Sequence, residues 1–144
     1  MNVYRKLVTF YQLSQADKKL LTKSVGLLFL LKILLKLIPV NRIYSAIKAL
    51  HKEPYYTYTD FLGFTEKVVW SVEKTGNLVV KSQCLAKALA VHFLLNQKRI
   101  ANTLEIGFVQ EKNKLSAHAW IRAEEKILIG DTTNLKFYFR VLIQ

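Results

Sequence analysis

Residues 103–131 read TLEIGFVQEKNKLSAHAWIRAEEKILIGD, and this stretch decides the fold. Leu104, Ile106 and Phe108 recur at every second position over 103–110, the period of a strand with one buried face. Glu111-Lys112-Asn113-Lys114 is a polar turn, and a second strand is predicted over 116–123. Glu124-Glu125 then turns the chain into a third strand, Lys-Ile-Leu-Ile-Gly at 126–130, and residues 137–143 offer a fourth. Glu-Glu is poor chemistry for a tight hairpin turn. A four-residue loop with the same centre keeps the same register, which only a bulge would break. A register centred on Glu124-Glu125 sets His118 opposite Asp131. Directly opposed side chains stand about 4.5–5.5 Å apart at Cβ, which suits a carboxylate–imidazole hydrogen bond.

Upstream the period changes from two to that of a helix. Ser82 can cap a helix over 83–98, with Leu85, Ala88, Leu89, His92 and Leu95 or Phe93 as its apolar stripe. Earlier helices are predicted over 4–13, from a cap at Ser14 or Asp17 to about Ile38, and over 42–51 behind Asn41. Pro39 stops the second of these, because the residue before proline leaves the helical region. A further helix starts at Thr59 or Asp60, runs to about Lys74, and ends in the turn Thr75-Gly76-Asn77. Residues 55–59 read as an extended or irregular linker. Helices first, then one helix followed by antiparallel strands, is an α+β order. A helical N-terminal region (1–78) is expected to pack on a core (79–144) in one compact unit.

The whole chain is 144 residues with 51% hydrophobic residues, 5 Gly and 2 Pro, which excludes disordered and collagen-like classes. One cysteine excludes an internal disulfide and favours a reduced, cytoplasmic setting. No signal peptide fits, since the first apolar run begins at Val25. The net charge of +12 is uneven: residues 1–50 hold nine bases and one acid, residues 51–80 three and four, residues 81–144 ten and five. A basic arm suits an anionic partner. Tyr55, Tyr56 and Tyr58 cluster in the least basic segment, which counts against nucleic acid. The apolar run over 25–40 is interrupted by Lys32 and Lys36, so it reads as a core helix with its lysines in water. A helix lying on a membrane surface or a partner protein is the second reading, and a true span the third.

Cys84, His118 and Asp131 occupy positions that chemistry would choose. Each has a commoner structural reading alone: a small buried hydrophobe, a strand histidine, a turn aspartate. Cys84 falls in the first turn of a helix, where unpaired N–H groups and the helix dipole suit a thiolate and an oxyanion. His118 would take the thiol proton and Asp131 would orient the imidazole. The Cys84 backbone N–H supplies half an oxyanion hole, and Gln83 or Ser82 the rest. His92, two turns beyond Cys84, reads as a packing residue. One Cys and three His without paired short spacings give no zinc site, and the scattered glycines give no phosphate loop, so no metal or cofactor is expected.

The segments Cys84-Leu85-Ala86-Lys87-Ala88-Leu89-Ala90, Leu104-Glu105-Ile106-Gly107-Phe108, Ala117-His118-Ala119-Trp120-Ile121 and Gly130-Asp131 resemble the transglutaminase-like B2 proteins of lasso-peptide biosynthesis. The resemblance covers about 80–131 and is one of style only in the helical half. It implies a transglutaminase-like or papain-like core and a cysteine peptidase that removes the leader from a ribosomally made precursor peptide. Cys84, His118 and Asp131 then carry over as its triad. It also implies a separate leader-recognition protein (B1) and hand-over of the core peptide to a macrolactam synthetase. A catalytically silent binding protein, or an acyl transferase using the same acyl-enzyme, are the competing readings.

Overall fold

The computed structural model describes residues 13–79, 83–111, 114–130 and 139–142. Among the described residues four α-helices precede a small antiparallel sheet, so the chain is α+β as its periodicities require. The helix expected over 4–13 lies almost wholly outside the described residues. The first described helix, α1, spans Gln15–Leu37. Ser14 Oγ accepts from the Asp17 N–H at 3.1 Å and donates to Asp17 Oδ2 at 2.7 Å, closing the first turn. Pro39 follows the last turn. It also opens α2 (Val40–Leu50) as its N-cap residue, with φ −59. The expected cap Asn41 sits inside the first turn instead, because the proline ring already presets the entry angle.

A 3-10 turn, Thr59–Phe61, leads into α3 (Leu62–Val79). This helix runs past the expected stop at Thr75-Gly76-Asn77. Gly76 is buried, and a Cβ there would meet Lys87 Cε at 2.7 Å, so the glycine is used for close packing of two helices rather than for a turn. Lys32 of α1 donates to the Val79 carbonyl at 3.0 Å and satisfies the helix end. Lys32 is thus half-buried and engaged, not in a solvated stripe. Ser24 and Ser71 share a buried 2.9 Å hydrogen bond where α1 crosses α3, and Lys67 pairs with Asp17 at 2.8 Å.

Helix α4 (Cys84–Asn96) is the centre of the molecule. It touches α1 and α3 on one side and the sheet on the other. Its predicted stripe is therefore too narrow: Ala86, Ala88, Leu89, Ala90, Val91, Leu94 and Leu95 are all buried, as befits a helix enclosed on most of its circumference. Its N-cap position is Gln83, whose side chain makes no capping bond. Ser82, the expected cap, lies outside the described residues.

The strands are β1 (Thr103–Glu111), β2 (Lys114–Ala123), β3 (Lys126–Ile129) and β4 (Phe139–Leu142). They pair antiparallel in the order β3-β2-β1-β4. Leu104, Ala119, Ile121 and Ile129 join the helical core, whereas Phe108, expected beside Leu104, is exposed toward the far end of β1. Glu124-Glu125 makes a two-residue turn between Ala123 and its partner Lys126, with Glu124 at φ 50. The expected register holds for two pairs, Ala123–Lys126 and Arg122–Ile127, and then a bulge shifts it, so that Ile121 faces Ile129. The pairing arithmetic that set His118 opposite Asp131 therefore does not run unbroken beyond Arg122. Asp131 itself lies outside the described residues. The linker is held by Tyr56, which bridges to Ile100, and by Tyr58, whose hydroxyl accepts from Lys126 at 2.9 Å. Among the described residues no helix is long and apolar enough to cross a membrane.

Candidate active site

Cys84 is the first residue of α4, half-buried and not in a disulfide. The helix begins there because Gln83 has non-helical angles while its carbonyl already accepts from the Lys87 N–H at 3.2 Å. The N–H groups of this first turn have no helical carbonyl to bond. Buried packing on both sides fixes the helix, so the cysteine is carried on a rigid support.

His118 lies midway along β2. The fold brings it to the same cleft as Cys84, a space of about 290 Å³ lined by Glu73, Cys84, Lys87, His118, Ile129 and Gly130. The imidazole is half-buried, and its Nε2 lies 2.7 Å from the Gly130 carbonyl. A carbonyl only accepts, so Nε2 carries the hydrogen and the neutral ring has its lone pair on Nδ1. The ring also stacks on Trp120, with centroids 6.1 Å apart and planes 25° from parallel.

Sequence reasoning missed the groups that hold this histidine. Trp120 is buried, and its indole N–H donates to Glu105. Arg122 Nε donates to the other Glu105 oxygen at 2.9 Å. Glu105 is only 5% exposed, a buried carboxylate satisfied by an indole and a guanidinium. Its hydrogen bond raises the Arg122 affinity for its proton, outweighing desolvation. The signal was present as two residues on neighbouring strands, Glu105 and Trp120, which the β1–β2 register sets face to face. Gly130 is a further group of this kind, expected simply to end the third strand before Asp131. Its φ is +83, and an added Cβ would lie 2.5 Å from the Ala119 carbonyl oxygen and 2.9 Å from Trp120 Cα, so only glycine fits.

His92 stands apart from this cleft. It closes a ring of hydrogen bonds with Asn102 (2.7 Å) and Asn96 (3.1 Å), while Asn102 donates to Asn96 at 2.9 Å. Tyr44 stacks on it at 5.1 Å. This is the packing role expected for it. Among the described residues no three His, Cys, Asp or Glu side chains gather as a metal site.

A central helix opening with a cysteine, against an antiparallel sheet that presents a histidine to the same cleft, defines the class. The profile of the transglutaminase-like superfamily matches residues 27–144, and the chain belongs to that superfamily. A search of curated proteins and a search of solved structures each return no significant match.

Proposed function

We propose that this protein is a cysteine peptidase that removes the leader from a ribosomally made precursor peptide during lasso-peptide maturation. The observation that carries the chemistry is the shared cleft of Cys84 and His118. His118 Nδ1 takes the Cys84 thiol proton, and the thiolate attacks the scissile carbonyl. The oxyanion meets the Cys84 N–H and, in this reading, the Gln83 side chain, which its own helix does not use. The imidazolium returns its proton to the departing amine. Water, deprotonated by His118, then releases the acyl group as a carboxylate. Asp131 is assigned the orienting role, beside the Gly130 carbonyl that already bonds the ring. The substrate assignment is supported by the resemblance over 80–131, and membership of the superfamily supports only the general thiol chemistry. It carries with it a leader-recognition protein and a macrolactam synthetase as partners, and a cytoplasmic place of action.

The test is to incubate the protein with a candidate precursor and its leader-recognition protein, and to weigh the products. Leader release that Cys84→Ala abolishes supports the proposal; release that survives Cys84→Ala overturns it. A thiol-directed electrophile that labels wild type at Cys84 faster than His118→Ala separates a wrong substrate from a wrong mechanism. An amine-adduct mass in place of a carboxylate would instead assign acyl transfer.

A further inference from the structure

We propose that the outer face of α1, with the adjoining groove between α1 and α2, is the surface by which this protein lies on an anionic lipid bilayer. The inference does not rest on the peptidase reading. Helix α1 packs inward through Ser24, Leu28 and Leu31. Its opposite face carries Val25, Phe29, Ile33 and Leu37, all exposed, where a helix on the surface of a globular protein carries polar residues. Phe29 is 58% exposed and Leu37 75%. The face continues into a groove of about 420 Å³ whose lining includes Leu30 and Leu50, the latter 73% exposed. Contiguous apolar surface of this kind marks an interaction site.

Charge indicates what covers it. From Lys18 to Lys52 there are eight Lys and Arg and no Asp or Glu. Lys36, Arg42 and Lys48 are exposed beside the apolar face. Apolar side chains on helices that carry cations and no acid from Lys18 to Lys52 fit a surface that is apolar beneath and anionic above, which is a bilayer with acidic headgroups. Lysine and arginine stems can lie along such a surface with their heads in the phosphate layer. A peptide in the groove would cover Leu30 and Leu50 but not Val25, Phe29 or Ile33, which lie round the helix from it. A planar partner reaches both. No described helix can cross the membrane, so the contact is interfacial.

The test is co-sedimentation of the full chain with phosphatidylglycerol–phosphatidylcholine vesicles and with phosphatidylcholine vesicles alone. Binding to the anionic vesicles that weakens with salt, and by at least about tenfold in Phe29→Ser/Leu37→Ser, supports the proposal. Both positions are exposed, so the variant keeps its fold. Failure to bind anionic vesicles, or equal binding by the double variant, overturns it. So does a dimer in sedimentation velocity that the double variant converts to monomer, since a second copy then covers the face. Phe29→Trp decides independently of any folding defect. On addition of anionic vesicles its emission must shift to the blue, and be quenched by brominated lipid, more than that of wild type, which carries Trp70 and Trp120; no such difference on sedimenting protein means attachment elsewhere and overturns the proposal.

Discussion

Gly130 shows how much a single residue position can hold. Its carbonyl receives the His118 hydrogen, and its positive φ brings the chain against the backbone of Ala119 and Trp120. An alanine there faces left-handed strain of about 1–2 kcal/mol and a clash with backbone that cannot rotate away. Gly130→Ala is therefore expected to lower stability by at least about 2 kcal/mol in urea unfolding and to slow thiol labelling at Cys84. Retention of both would show that the carbonyl does not set the imidazole. The sequence could expose the cysteine and the histidine, because their chemistry is written in their side chains. It could not expose the glycine's task, because a backbone carbonyl has no residue type of its own.

At the scale of elements, periodicity located each strand and helix that the structure describes, and boundaries failed where packing overrode local chemistry. Helix α3 passes through Gly76 because the Lys87 stem lies across it. The β2–β3 hairpin closes in two residues although Glu-Glu is ill suited to it, with Glu124 held at φ 50. That conformation favours asparagine or glycine over glutamate. Among the described residues the Glu124 side chain makes one long contact, 3.4 Å from the Thr59 hydroxyl, so little is lost by replacing it. Glu124→Asn is expected to raise stability by up to about 1 kcal/mol, read as a higher melting temperature. A lowered melting temperature would mean that the glutamate has an unrecognised partner. The bulge beyond Arg122 is the more instructive difference, since one extra residue in β3 cancels the pairing argument for Asp131.

Across the whole molecule, His92 ties together parts distant in sequence: Tyr44 of α2, Asn96 of α4 and Asn102 before β1. Burial pushes its pKa below the ordinary histidine value; the Asn102 hydrogen bond opposes this and the His51 charge adds to it. The hydrogen-bond ring also requires neutral imidazole, because Nε2 accepts from Asn96. The unfolded chain therefore binds this proton more readily than the folded one. Its contribution is complete above the unfolded value of about 6.5 and is lost as pH falls below it toward the lowered folded value. Urea unfolding at about pH 7.5 and about pH 5.5 is expected to show a loss of stability on acidification that His92→Gln reduces. An unchanged loss in that variant would place the proton uptake elsewhere.

The sequence by itself determined the α+β order, the basic arm, and the two side chains whose chemistry points to thiol catalysis. These follow from residue type and spacing, which are local. Packing is what lets Cys84 and His118 line one cleft, a glycine carbonyl accept from the imidazole, and α1 present an apolar face outward. Those depend on which surfaces of α1, α4 and the sheet are already taken by one another. Burial of a helix face is a property of its neighbours, and a hydropathy pattern records only that some face must be covered.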